Sequence, residues 1–279
     1  MSMQQNLDLL IQKTACPEKV KAEVKLLSAT YAQRININPQ RDYTSGEFTA
    51  LPYRTKGVNV VGTGLHRELQ YPEICISHGA NGRFTYRLNR LPPIYFRFFL
   101  GGSYPADPNF SFTLESVWLS SISIDLLSCR LTEEIRTFSG DFALKHCCKF
   151  IENQVIDYLF GTSADSPINI DLFEYAQLDE ISDDAEGGDR IYRLTDLIVG
   201  HEEQLRNQEF ANASHQCPIC FDEPPGPQCI RFRKCGHVVC RNCAADHFAT
   251  QIDQGANACQ PTCVSCAETV RQQEVRICL

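Results

Sequence analysis

Eight residues near the end of this chain are spaced as metal ligands. They run Cys217-x2-Cys220-x14-Cys235-x-His237-x2-Cys240-x2-Cys243-x19-Cys263-x2-Cys266. Two residues between thiols let a tight backbone knuckle aim both at one ion, and eight donors are the right number for two tetrahedral zinc ions. A structural zinc is filled by four protein ligands, whereas a catalytic zinc keeps one position for water. Two closed sites therefore imply architecture rather than chemistry at the metal, and no catalytic residue is assigned in this chain.

The setting favours metal over disulfides. Residues 1 to 216 hold five of the fifteen cysteines (Cys16, Cys75, Cys129, Cys147 and Cys148), and the last 63 residues hold ten. The start, "MSMQQNLDLLIQK", lacks a basic stretch followed by an apolar core, so no secretory signal is read and the cytoplasm or nucleus is expected. A reducing compartment disfavours disulfides, which leaves a dense Cys/His cluster as a metal site. Cys259 is an alternative to Cys263, through Cys259-x6-Cys266. Cys263 is preferred because the x2 spacing forms the knuckle. Cys229 and Cys278 are read as ordinary thiols.

The order of these ligands, three cysteines, one histidine, four cysteines, resembles a RING finger. A PHD-type module would place its histidine fifth and usually has a Trp before the last cysteine pair. Here the histidine is fourth, and the single tryptophan, Trp118, lies far upstream. The resemblance implies interleaved ligation: Cys217, Cys220, Cys240 and Cys243 on one zinc, and Cys235, His237, Cys263 and Cys266 on the other. The segment "CGHVVCRNC" (235–243) would then supply half of each site. With few aliphatic residues nearby, metal binding would supply much of the folding free energy, on the order of ten kcal/mol per site.

RING fingers dock a ubiquitin-conjugating enzyme charged with ubiquitin. By position, the resemblance implies docking through Ile219 inside the first cysteine pair, His247 and Phe248 on the helix after the sixth ligand, and Val264 in the last pair. Many RING ligases place an Arg directly after the last ligand; here that position is Ala267. The missing Arg, the insert "AADHFATQIDQGANACQPT" and the tail "AETVRQQEVRICL" resemble the first RING of RING-between-RING ligases. In these enzymes a cysteine of a second RING accepts ubiquitin before the substrate does. The chain ends at Leu279, so the expectation is that no catalytic cysteine lies within it and that its activity alone is weak.

Other elements must carry this module. "IYRLTDLIVGHEEQLRNQEF" has Ile191, Leu194, Ile198 and Leu205 at helical spacing, which predicts a linking helix over 191–212 with His201 facing solvent. Upstream, nine acids stand against Arg190 alone between Gly161 and Arg190, a composition that reads as a solvated acidic linker over 162–190. Further back, Val20, Val24, Leu27 and Tyr31 predict an amphipathic helix over 17–31, with Pro17 in its first turn. Alternating patterns predict strands at 73–77, 83–88, 94–100 and 110–114, the first two flanking an Asn81-Gly82 turn. Helices are expected over roughly 119–137 and 141–160, with Cys147 and Cys148 half-buried.

Helix, antiparallel four-stranded meander and helices make an α+β layer. The motifs "EVKLLSATY", "LPPIYFRFFLGGSYP", "FTLESVWLS" and "VIDYLFG" resemble an RWD domain, a fold that generally binds other proteins. The expected organisation is an N-terminal tail over 1–16, an RWD domain over 17–161, the acidic linker, the linking helix, and a RING finger over 213–279. That order is similar to the ring finger protein 14 group of RING-between-RING ubiquitin ligases. The resemblance implies two zinc ions, a charged conjugating enzyme as one partner and a protein partner for the RWD domain.

Composition trims the alternatives. Net charge is −8, and from Cys217 onward six acids balance six Arg and Lys, so a nucleic-acid partner is not expected. No apolar run is long enough for a membrane span. A reading from another class stays open, a non-catalytic zinc-stabilised adaptor that joins two proteins.

Overall fold

A computed structural model describes residues 17–40, 42–64, 74–79, 82–107, 110–138, 140–161, 168–174, 187–255 and 261–278. The chain is α+β. It divides into two compact units, one from residues up to Val60 and Leu88–Ile198, the other from Val61–Arg87 and Val199 onward. No helix among the described residues is long and apolar enough to cross a membrane.

The first unit begins with α1 (Glu18–Tyr31), where Val20, Val24, Leu27 and Tyr31 are all buried. Four antiparallel strands follow in the order β1 (Ile35–Pro39), β2 (Tyr43–Ala50), β6 (Ile94–Gly101) and β7 (Ser111–Ser116). Register places Phe48 opposite Phe96, and Phe96 opposite Leu114. Ile35, Ile37, Phe48, Ala50, Phe96 and Phe98 are buried from these strands. On the fold's helical side are α2 (Ser121–Thr137), α3 (Ala143–Asn153) and α4 (Val155–Phe160). The Ser120 side chain caps α2 by accepting from the Ser123 amide at 3.1 Å.

Two features fix the turn region. Tyr104 is buried, and its hydroxyl donates to Glu23 Oε2 at 2.7 Å. Trp118 donates from Nε1 to the Pro92 carbonyl at 2.9 Å. The four-stranded meander is therefore present, but two of its strands are not those the alternation suggested. β1 and β2 supply the places assigned to 73–77 and 83–88. The latter residues form a separate hairpin, β4 (Cys75–His78) with β5 (Arg83–Arg90), carried by the insertion between β2 and β6.

Other expectations shift in detail. The helix expected over 141–160 breaks at Gln154 into α3 and α4. Cys147 and Cys148 are fully buried rather than half-buried, because both face the core. Within the segment expected as a solvated linker, β8 (Ile168–Asp171) forms, since Ile168 and Ile170 alternate and bury their side chains. It lies beside β3 (Tyr53–Thr63), where Asn59 Nδ2 donates to Asn169 Oδ1 at 3.0 Å. Asn81 and residues 175–186 lie outside the described residues, while Gly82 has the positive φ, 71°, that suits a turn.

The second unit holds the β4–β5 hairpin residues up to Arg87, in which Tyr86 donates to the Thr63 carbonyl at 2.9 Å. It also holds the end of α5 (Gly187–Asn212), which starts four residues earlier than expected. His201 on α5 is partly buried rather than solvent-facing. A small hairpin, β9 (Cys229–Arg231) with β10 (Val238–Cys240), precedes α6 (Arg241–Asp253), and α7 (Gln272–Cys278) closes the module. Ile230, Phe232, Val239, Ala244, Phe248, Val270 and Val275 share a small core with the cysteines around them.

Candidate metal centre

Local backbone geometry brings the donors together. The Cys217 amide donates to the Asp222 carbonyl, and the Cys263 amide to the Glu268 carbonyl, each at 2.9 Å. Both cysteine pairs thus sit in turns closed over the same five-residue span. Between Cys235 and His237 the chain reverses at Gly236, whose φ is 74° and whose amide donates to the Phe232 carbonyl at 2.7 Å. A glycine meets this left-handed conformation without a Cβ penalty. Cys240 ends β10 and caps α6, its sulfur accepting from the Cys243 amide at 3.4 Å. One residue thereby joins hairpin, helix and metal-donor set.

The eight side chains fall into two groups. Cys217, Cys220, Cys240 and Cys243 form one; Cys235, His237, Cys263 and Cys266 form the other. Within each group the donor atoms all lie within 4.8 Å of one another. Each group interleaves in sequence with the other, and 235–243 gives two donors to both.

The spacing suits a tetrahedral ion. With Zn–S bonds of about 2.3 Å and Zn–N of about 2.0–2.1 Å, tetrahedral angles separate two sulfurs by about 3.8 Å and sulfur from nitrogen by about 3.5–3.6 Å. The Cys220 and Cys240 sulfurs are 3.8 Å apart. Cys263 Sγ lies 3.6 Å from His237 Nδ1. Cys259 lies outside the described residues, while Cys263 stands in the second group. Cys229 and Cys278 belong to neither group.

The electrostatics of each group call for a cation. Burial opposes ionisation of Cys217, but amide donors at Cys220, Cys240 and Ile219 outweigh it and pull the thiol down to about 6. In the second group the Glu268 amide lowers Cys266. The neighbours resist. Burial, helped by the sulfurs of Cys263 and Cys266, pushes Cys235 up to about 12. A shared proton with Cys240, together with burial, raises Cys243. A dication offsets the mutual repulsion of several thiolates and lets all of them ionise.

The residues expected at the docking face are placed unequally. Ile219 is 45% exposed. Val264 and His247 are half-buried, and His247 Nε2 bonds the Thr262 carbonyl at 3.0 Å. Phe248 is completely buried, its ring meeting Phe232 edge-on at 5.8 Å, so its side chain packs the core and offers no surface. The helical spacing of Ala244 and Phe248 marks that buried face. Phe221 went unremarked in the sequence, yet it is 72% exposed. Its φ of 62° turns it outward directly after Cys220. A bulky apolar residue following the second ligand was the available signal.

Proteins of similar sequence carry ubiquitin-ligase names. The ligase called E3 ubiquitin-protein ligase RNF14 from Danio rerio is 26% identical over 205 residues, 65% of this chain and 44% of its own. Its Homo sapiens counterpart is 26% identical over 220 residues, 67% of this chain and 44% of its own. The chain is related to the RNF14 ubiquitin ligases. E3 ubiquitin-protein ligase itt1 of Schizosaccharomyces pombe adds 34% identity over 58 residues, 21% of this chain and 13% of its own. The chain spans less than half the length of the RNF14 proteins it matches. No protein-family profile matches it.

Proposed function

We propose that this chain is the recruiting part of a RING-between-RING ubiquitin ligase. A two-zinc RING over 213–279 docks a ubiquitin-charged conjugating enzyme, and an RWD domain over 17–161 binds a protein partner or substrate. Zinc is held by Cys217, Cys220, Cys240 and Cys243, and by Cys235, His237, Cys263 and Cys266. Its task is to lock the loops that carry Ile219 and Val264 into one rigid platform. The ions are structural, and no cysteine of the chain serves as the ubiquitin acceptor. The protein acts in the cytoplasm or nucleus.

The observation that carries this reading is the pair of interleaved donor sets beside an exposed Ile219. An apolar side chain held in water by a rigid turn suits a partner's apolar surface. Phe221 adds a second exposed apolar side chain directly after Cys220, and His247 and Val264 are the further residues proposed for that surface, while Phe248 packs the core behind His247. The kinship with ubiquitin ligases supports the choice of a conjugating enzyme as the partner.

Ile219→Ala tests it. Titration calorimetry with a panel of ubiquitin-charged conjugating enzymes should show binding to the parent chain and a loss of about tenfold or more in the variant. Metal content should stay at two zinc ions per chain. Unchanged affinity, or no binding by any enzyme of the panel, would leave the adaptor as the better description.

A further inference from the structure

The second unit carries a positively charged groove that the metal centre does not use. It is a cavity of about 280 Å3 whose lining includes Phe210 of α5, Arg231 at the end of β9, Arg233 just after it, Arg241 of α6, and Glu274 and Ile277 of α7. None of these is a metal donor or a proposed docking residue.

Arg231 and Arg241 are held in place by contacts that leave their charge unpaired. Arg241 donates from Nε to the Pro227 carbonyl at 3.0 Å and from a terminal nitrogen to the Ile277 carbonyl at 3.3 Å. Guanidinium has five N–H donors, so three remain. Arg231 lies over the Phe210 ring at 5.3 Å. Phe210 is braced on its own side by His215, stacked at 4.2 Å. Neither Arg231 nor Arg241 has a carboxylate partner among the described residues. Glu274 is the one acid in the lining. It is buried, and its two oxygens already accept from the Arg233 amide at 2.8 Å and the Arg271 amide at 3.2 Å.

The guanidinium groups of Arg231 and Arg241 thus line the cavity beside one internally satisfied carboxylate, in a chain whose net charge is −8. From Cys217 onward acids and bases are equal in number, so the positive charge here comes from placement, not composition. Phe210 and Ile277, the latter 55% exposed, give the groove apolar walls. Fixed guanidinium forks bind carboxylates in defined geometry, and a cavity of this size takes one side chain.

We propose that this groove binds an acidic peptide segment of a partner protein, with an apolar side chain in the cavity and flanking carboxylates on Arg231 and Arg241. The assignment stands apart from the conjugating-enzyme reading, because it shares none of that reading's residues.

The test uses the intact zinc-loaded chain and a fluorescein-labelled peptide of sequence Asp-Glu-Leu-Asp-Glu, followed by anisotropy. Binding should be saturable and weakened about tenfold or more by Arg231→Gln with Arg241→Gln. A control with equal charge loss, Lys25→Gln with Arg136→Gln on the first unit, should bind as the parent does. Ile277→Glu, which leaves both arginines intact, should also abolish binding. Each variant is checked for two bound zinc ions and for retained conjugating-enzyme affinity. Equal weakening by the control pair, no effect of Ile277→Glu, or no binding by the parent would overturn the assignment. So would a groove that takes inorganic phosphate in preference to the peptide.

Discussion

Cys220 and Cys240 stand twenty residues apart in the chain, with their sulfurs 3.8 Å apart. Nothing in the apolar packing of so small a core demands that approach. A shared ion explains it, and the consequence for folding is direct. Cys240→Ser removes a donor and alters the cap of α6, so the variant should lose at least one zinc and the amide protection of β9, β10 and α6. Cys278→Ser, which touches neither group, should keep both ions. Native mass spectrometry with hydrogen exchange reads both outcomes.

Gly236 makes a subtler prediction. Its φ of 74° costs an L-residue about 1 kcal/mol. Gly236→Ala should retain two ions but release them at roughly fivefold lower chelator concentration. An unchanged midpoint would mean that the turn between Cys235 and His237 relaxes freely.

The first unit predicts a pH dependence of its own. Burial lifts the Glu23 carboxyl to about 7, against the opposing pull of the Tyr104 hydroxyl and the Lys145 amide; Asp141 raises it further and the Lys145 charge lowers it. The folded state therefore binds the proton more tightly than the unfolded state. The stability this contributes is present below about pH 4.5 and is lost as pH rises through 7, on the order of 3 kcal/mol. Glu23→Gln should flatten the curve between pH 5 and 8. Trp118, buried in the same unit and the single tryptophan of the chain, reports unfolding by fluorescence. Parallel curves for parent and variant would contradict the assignment.

Ala267 follows the last donor and is exposed. Ala267→Arg should leave the metal content unchanged. If the platform holds a charged conjugating enzyme, it should speed ubiquitin discharge to free lysine severalfold. No gain, with binding intact, would show that the ubiquitin lies out of reach of this position.

The sequence displayed some of this organisation and hid the rest, for identifiable reasons. The donors were legible because a knuckle needs a fixed two-residue spacing. Helix α1 was legible because its buried residues recur every three to four positions. The strands β1 and β2 were harder. "ININP" is short, and "YTSGEFTA" carries Gly46 and few apolar residues, so burial there follows from partners far along the chain. Local alternation marked 73–77 and 83–88 as strands but could not say which sheet they join. Ile168 and Ile170 were masked by surrounding acids. The arginine groove was invisible because Phe210, Arg231, Arg241 and Ile277 meet only once the module is folded.

X-ray absorption at the zinc edge tests the central claim most directly. The proposed RING predicts two zinc ions per chain, bound by the seven sulfurs and one imidazole nitrogen of the two donor groups, with Zn–S near 2.3 Å. A single zinc, or a first shell dominated by oxygen and nitrogen, would contradict the account.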